Sequence, residues 1–462
     1  MCEINYKKAG LYYTIGSFFN KGIAFFTVPI FTRLLSTADY GTASTYNSWV
    51  SMVSVCIGFT LYMAIRQAFI DYPKQIDEFN STVTIFITMV SGMILLICLA
   101  VGTFTDIDVM LPMLCIIQSY ASALIEDYSM YLMMQYRYKV RTAFMVLPNL
   151  ISVIIATLVI KFLVTDRMYF GKILPTAIIT AVFGVIVIVS VFRKSRKFNK
   201  SLLKYGLAIS VPLIAHGVAL TLLAQSDRTM ITMLVGAEKT GVYSVVYNFS
   251  MIATALTTAL SGIWQPWYLT RLKNHTDMDF EEINNMTQVY VMFMSVVMCG
   301  VILAAPEVLK FLASKPYWEG VSIIPPIVLA NLVTFVYTFY VDVEHFHKKT
   351  KFIAFNTMVA AVSNVILNYI FIPICGYEAA AYTTIVSYAI SLVLHYMIAK
   401  KLEAQSAGLF TYAKQFLLVI AVSVFYYVFI ENWILRWGVA IALGITTLAY
   451  LYRKLGKKRV QR

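Results

Sequence analysis

The stretch FGKILPTAIITAVFGVIVIVSVFRKSRKFNKSLLK, residues 170–204, decides the fold. Its first part, 170–192, is apolar apart from Lys172 and a few hydroxyls, and is long enough to cross the ~30 Å of bilayer hydrocarbon as a helix. Immediately after it come Arg193, Lys194, Arg196, Lys197, Lys200 and Lys204. Basic gaps of this kind are retained on the cytoplasmic side during insertion, so the pair reads as one span that ends inside.

The same alternation runs along the whole chain. Of the 37 Lys and Arg, 27 fall in eight gaps: Lys7–Lys8, Arg66–Lys74, Arg137–Arg141, Arg193–Lys204, Arg271–Lys273, Lys348–Lys351, Lys400–Lys414 and Arg453–Arg462. These occupy alternate positions between about fourteen apolar runs, which places both termini in the cytoplasm and predicts an even number of spans. The runs are continuously apolar, so helices are expected rather than the alternating strands of a membrane barrel. Composition agrees, with 60% hydrophobic residues, 13% charged and a mean hydropathy of +0.74. The chain is therefore expected to be an all-α polytopic membrane protein with about 14 transmembrane helices.

A net charge of +14 spread over eight separate gaps has no single basic face, which argues against nucleic acid as a partner. The first run, 10–32, lacks a small-residue cleavage site and reads as a retained span. The six cysteines form no CxxC pair, so neither a disulfide framework nor a metal site is expected. His345 and His347, two apart, point to opposite faces of a helix and make a poor metal pair. Polar stretches such as 193–205 and 267–284 are too short to hold a catalytic domain, so no enzyme chemistry and no cofactor are expected.

Slid against itself by 200 residues, the chain places Thr32, Leu34, Gly41 and Ser44 on Thr232, Leu234, Gly241 and Ser244. A weaker echo at 211 places Ala143, Phe144 and Ser152 on Ala354, Phe355 and Ser363. Two six-helix lobes related by a parallel repeat are expected: 1–192, then a basic linker 193–205, then 206–399. Residues 400–462 add two helices and a basic tail. Repeated lobes about a central cavity are an alternating-access architecture.

Ionisable residues inside spans are costly and mark cavities. Lys21 lies eleven residues from either end of the first run, ~16 Å from each interface, beyond the reach of a snorkelling side chain. Arg66 lies near the inner end of span two, and Arg228 forms a pair with Asp227 in span seven. These three cations are the candidate substrate-binding groups, for an anionic head group. Candidates for gating or ion coupling are Glu126 and Asp127 in span four, His216 and Asp227 in span seven, and Asp342 and Glu344 closing span ten. Each also has a structural reading, as an ion pair, a cap or a hydrogen-bonded histidine. Trp264 and Trp267 are read as marking the interface or a lipid portal.

Four segments resemble a known family. NKGIAFFTVPIFTRLLSTADYG, with Lys21, Pro29, Arg33, Asp39, Tyr40 and Gly41, resembles the first-helix signature of the bacterial polysaccharide flippases, the O-antigen and capsule translocases. SDRTMITMLVGAEKTGVYSVVYN, LKFLASKPYWEGVSIIPP and NVILNYIFIPICGYEAAAYTT are similar to later motifs of that family, in order, and the resemblance covers about residues 1–400. It implies membership of the multidrug/oligosaccharidyl-lipid/polysaccharide exporter superfamily. It also implies a bacterial cytoplasmic membrane location, membrane lipid around the helices, and a polyprenyl-diphosphate-linked glycan carried from the inner to the outer leaflet. H+ or Na+ coupling and polysaccharide assembly proteins as partners would go with that role. A lipid II flippase and a cation or drug antiporter of the same superfamily remain alternatives, and a membrane glycan polymerase lacks the large external loop it would need.

Overall fold

The computed structural model describes residues 22–460 apart from 24, 106–107 and 275. Lys21 and most of the first expected span lie outside the described residues. All described elements are helical: α1 (Phe25–Leu34), α2 (Thr37–Gly58), α3 (Leu61–Asp71), α4 (Ile76–Phe104), α5 (Met110–Met134), α6 (Tyr138–Phe162), α7 (Tyr169–Phe192) and α8 (Lys200–Leu234). Then follow α9 (Ala237–Asn274), α10 (Asp277–Leu312), α11 (Ile324–Phe346), α12 (Thr350–Cys375), α13 (Ala379–Leu402), α14 (Ala413–Val428) and α15 (Trp433–Val460). Among the described residues, 11 segments are long and apolar enough to cross a membrane, and Phe25–Leu34 and Trp433–Ala449 are shorter apolar helices. The outside is apolar as well. Met89, Met93, Leu96 and Phe104 are 62, 58, 68 and 88% exposed on one helix, a surface suited to lipid and not to water.

The described residues form two compact units, one up to Gly241 and one from Val242. The first is built on α3. Leu61, Ala64, Ile65 and Ala68 are fully buried and pack with Phe79 and Val83 of α4, Leu124, Tyr131 and Leu132 of α5, and Val187 and Val191 of α7. Helix starts follow ordinary capping chemistry. Ser36 accepts the Asp39 amide at 3.0 Å, and the Asn199 carboxamide accepts the amides of Ser201 and Leu202 at 3.0 and 3.3 Å. The second cap starts α8 at Lys200, which leaves residues 193–199 as the connection between α7 and α8.

Span two, expected as one run over 42–65, is broken. Phe59 and Thr60 both adopt left-handed backbone conformations, with φ 50° and 51°, which separates α2 from α3. Neither residue favours that region, and the strain, of order 1–3 kcal/mol for each, is held by packing. Thr60 donates its hydroxyl to the Ser210 carbonyl of α8 at 3.2 Å, and the Phe59 ring meets Phe86 edge-on at 5.3 Å.

In the second unit α14 and α15 pack against α10. The buried Arg436 guanidinium of α15 takes both carboxylate oxygens of Glu307 on α10 and also donates to the Leu303 carbonyl. Tyr426 and Tyr427 of α14 donate to the carbonyls of Val321 and Ser322 at 3.0 and 2.7 Å. Trp264 is packed inside the second unit. It is 3% exposed, with Tyr268, Phe339 and Tyr290 rings 5.0, 4.9 and 5.5 Å away.

Candidate functional site: a polar cavity between α2, α5 and α8

Two stretches of α2 contrast sharply along its length. At its Thr37 end α2 meets the first turn of α9 with no space for side chains. A Cβ on Gly41 would overlap the Ala237 carbonyl, and a Cβ on Gly241 would overlap the Thr37 carbonyl. The contact is reciprocal, and only glycine at both positions permits it. One turn further along, Thr45 and Thr232 share a hydrogen bond of 2.6 Å, and Thr232 shares another of 2.7 Å with Thr240. Ser48 then donates to the Gln225 carboxamide oxygen at 3.2 Å, which also accepts from the Arg228 guanidinium at 2.9 Å. The seam is built of small residues and bridged by hydroxyls.

Beyond Ser48 the helices separate around a cavity of about 400 Å³, within the range of small-molecule sites. Ser51 and Ser54 of α2, Ser122 and Glu126 of α5, and Thr221 and Gln225 of α8 give it its polar groups. Among the described residues, Glu126 is its one charged lining residue. A second cavity of about 390 Å³ lies on the other side of α5 and shares Ser122 and Glu126 with the first. Glu126 is exposed midway along a helix surrounded by apolar surface, which is tenable only where water reaches it.

Its neighbour Asp127 does something different. Asp127 is 5% exposed and accepts the main-chain amide of Tyr62, in the first turn of α3. The break at Phe59–Thr60 leaves the first amides of α3 without helical partners, and a buried carboxylate at a helix N-terminus supplies one. Asp127 therefore holds the break, and Glu126 faces the cavities.

The remaining candidates are dispersed. Arg228 and Asp227 are 7% and 2% exposed on α8, above the cavity at the seam, and His216 is half-buried on the same helix. Arg66 is exposed on α3. In the second unit Asp342 accepts from the Gln265 amide at 3.0 Å. Glu344 is fully buried against His395, at 3.0 and 3.1 Å from Nδ1, with Asn356 3.3 Å from the same nitrogen. Among the described residues, no group of three or more His, Cys, Asp or Glu is placed to hold a metal ion.

Several residues that matter here were not singled out in the sequence. Arg141 lines the second cavity although it sits in a basic gap. Lys172 lies over the rings of Phe31 and Tyr40, at 4.5 and 4.4 Å, in a cation–π contact. The signal for Lys172 and His395 was their position inside apolar runs; Gln225 and Gln118 carry no such mark.

The fold is shared with transporters. Over 96% of this chain and 99% of theirs, it superposes on the lipid II flippase MurJ in an inward closed conformation, with a TM-score of 0.68 at 16% identity. An inward-facing multidrug resistance transporter of the MATE family and MOP superfamily matches 83% of this chain and 95% of its own, with a TM-score of 0.60 at 10% identity. A MOP superfamily transporter from Pyrococcus furiosus matches 87% of this chain and 97% of its own, with a TM-score of 0.56 at 11% identity. No curated protein sequence matches the chain. At these identities the likeness is one of fold, whereas the sequence profile of the polysaccharide biosynthesis proteins matches residues 7–268 directly. With more than half of its length under that profile and the helical fold of the MOP superfamily around it, the chain belongs to the polysaccharide biosynthesis protein family.

Proposed function

We propose that the protein is a flippase that moves a polyprenyl-diphosphate-linked oligosaccharide from the cytoplasmic to the outer leaflet for surface polysaccharide synthesis. The observation that carries this reading is the cavity between α2, α5 and α8, hydroxyl-lined and shut at one end by the Gly41–Gly241 crossing. Serine, threonine and carboxamide groups suit a glycan, because each both donates and accepts hydrogen bonds. In this reading fourteen spans run as a parallel repeat plus two helices, with the basic gaps and both termini in the cytoplasm of a bacterial inner membrane. The shut end then faces outward, and the cavity loads from inside.

The lipid tail stays in the bilayer, no covalent bond is broken, and Lys21, Arg66 and Arg228 neutralise the diphosphate as it passes. Glu126 carries a coupling H+ or Na+ between the two open states, because binding with equal affinity to both gives no direction. The MurJ-like fold favours lipid II as a second substrate reading.

One experiment separates these readings. The purified protein is placed in vesicles, and leaflet transfer of lipid-linked oligosaccharide, of lipid II and of a cationic dye is followed. Transfer of the oligosaccharide lipid alone is expected. Transfer of lipid II in its place assigns the second reading, and dye export without either lipid overturns both.

A further inference from the structure

We infer that the cavity on the far side of α5 is a saccharide subsite, which receives one or two sugar residues of the head group while the rest of the glycan lies in the central cavity. The inference rests on the flippase reading and adds to it where, and by which groups, sugar is recognised.

The chamber lies between α3, α5, α6 and α7, and its about 390 Å³ equals the central cavity in size. The two share Ser122 and Glu126 of α5 as lining residues, so those side chains border both spaces. Its walls differ from those of the central cavity in one respect that bears on chemistry. Beside Glu126 stands a guanidinium, Arg141, and two carboxamides, Gln118 and Asn149. Carboxylate, guanidinium and carboxamide are the planar side chains able to bind adjacent hydroxyls with two parallel hydrogen bonds. The Phe144 ring and Pro148 supply an apolar floor for the C–H face of a sugar ring.

Packing alone does not account for this set. Asn149 is exposed and lies near the middle of α6, whose outer face carries the exposed apolar residues Leu147, Leu150 and Ile154. The Asn149 amide donates to the Met145 carbonyl at 3.4 Å, and the Glu126 carboxylate kept accessible amid apolar surface requires water or a polar ligand. Gln118 is held in place: its oxygen accepts from the Tyr46 hydroxyl at 2.9 Å, which turns its NH₂ group into a fixed donor on the chamber wall. Thr176 and Thr180 donate to the carbonyls of Lys172 and Thr176, both at 2.7 Å, leaving their oxygens as acceptors. Because both charge signs are present, a hydroxyl-rich neutral sugar fits better than a diphosphate, which would meet Glu126.

The test places the photo-crosslinking residue p-benzoylphenylalanine at position 144 in the full chain, with Ile154 on the lipid-facing side of the same helix as the control position. Two probes are used in vesicles: the tritiated lipid-linked oligosaccharide pool of the source cell, and the same lipid diphosphate stripped of its glycan. The expected result is at least tenfold more labelling from 144 by the glycosylated probe than by the stripped one, reversed by excess free oligosaccharide. Equal labelling by the two probes would overturn the subsite. So would an absence of labelling in vesicles that transport the glycosylated probe, and there the flippase reading would stand. Absence of both labelling and transport would defeat the flippase reading and the subsite with it. Asn149→Ala provides a second readout without a crosslinker: transport should half-saturate at about tenfold higher glycosylated lipid, with unchanged binding of the stripped lipid. Unchanged half-saturation would again overturn the subsite.

Discussion

Two stretches of one helix pair behave oppositely. Near Thr37, α2 is held by backbone contact at Gly41, by the Thr45–Thr232–Thr240 hydroxyl chain and by Ser48 on Gln225. Around Ser51 and Ser54 the same helix stands away from α8 across about 400 Å³ of polar cavity; it closes on α8 again where Val55 and Thr60 face Gly217, and the helix breaks at Phe59–Thr60. The difference lies in side-chain size and satisfaction, because both stretches are rich in Ser and Thr. Where hydroxyls find each other and glycine removes the Cβ, the backbones close. Where Ser51, Ser54 and Ser122 lack such complements, space remains. Small polar residues alone therefore do not make a seam or a cavity; their register against the facing helix does.

The largest test breaks the shut end. Gly41→Leu drives a side chain into the Ala237 carbonyl, which should cost about 3 kcal/mol or more and abolish transport, read as a lowered melting temperature in detergent and no leaflet transfer in vesicles. A full-activity variant with an unchanged melting temperature would show that the crossing is loose in solution. Filling the cavity should separate transport from stability. Ser54→Trp occupies the cavity, with an expected transport loss of about 100-fold and a stability change within about 1 kcal/mol. A comparable fall in melting temperature would mean that the cavity is packed core.

At the helix break, Asp127→Ala removes the cap from α3 and should cost about 1–2 kcal/mol, seen as faster amide exchange around Leu61–Ala64. Exchange there unchanged from the wild type would remove Asp127 from that role. The smallest effect is expected from Thr45→Val, which loses one buried hydroxyl contact with Thr232. About 1 kcal/mol of stability should go, with transport kept within a few-fold.

Much of the architecture was legible in the residues, for reasons that also mark where legibility stops. Span ends such as Phe192 were readable because Arg193–Lys197 follow at once, and charge cannot stay in hydrocarbon. The break in span two was hidden, since Phe59 and Thr60 are poor left-handed formers and only tertiary packing holds them there. Gly41 and Gly241 were visible as partners under a 200-residue shift, but a shift says nothing about contact, and the two turn out to meet. Glu126 and Asp127 looked interchangeable. They sit about 100° apart around α5, and only the position of the α3 N-terminus separates a cap from a cavity carboxylate. Arg141 was masked by its company, because in a basic gap a cavity-lining arginine reads like any residue retained inside.

The clasp between Arg436 and Glu307 has a consequence for how the chain is made. The two residues are 129 positions apart, so at about 5–20 residues per second the carboxylate on α10 waits about 6–26 s for its guanidinium to leave the ribosome. During that interval α10 is an inserted helix with an unpaired acid near its end and an uncovered flank where α14 and α15 will dock. Assembly of the second unit therefore finishes only with the last helix. A chain that stops before Arg436 lacks the partner of Glu307 and leaves the flank of α10 that α15 covers open.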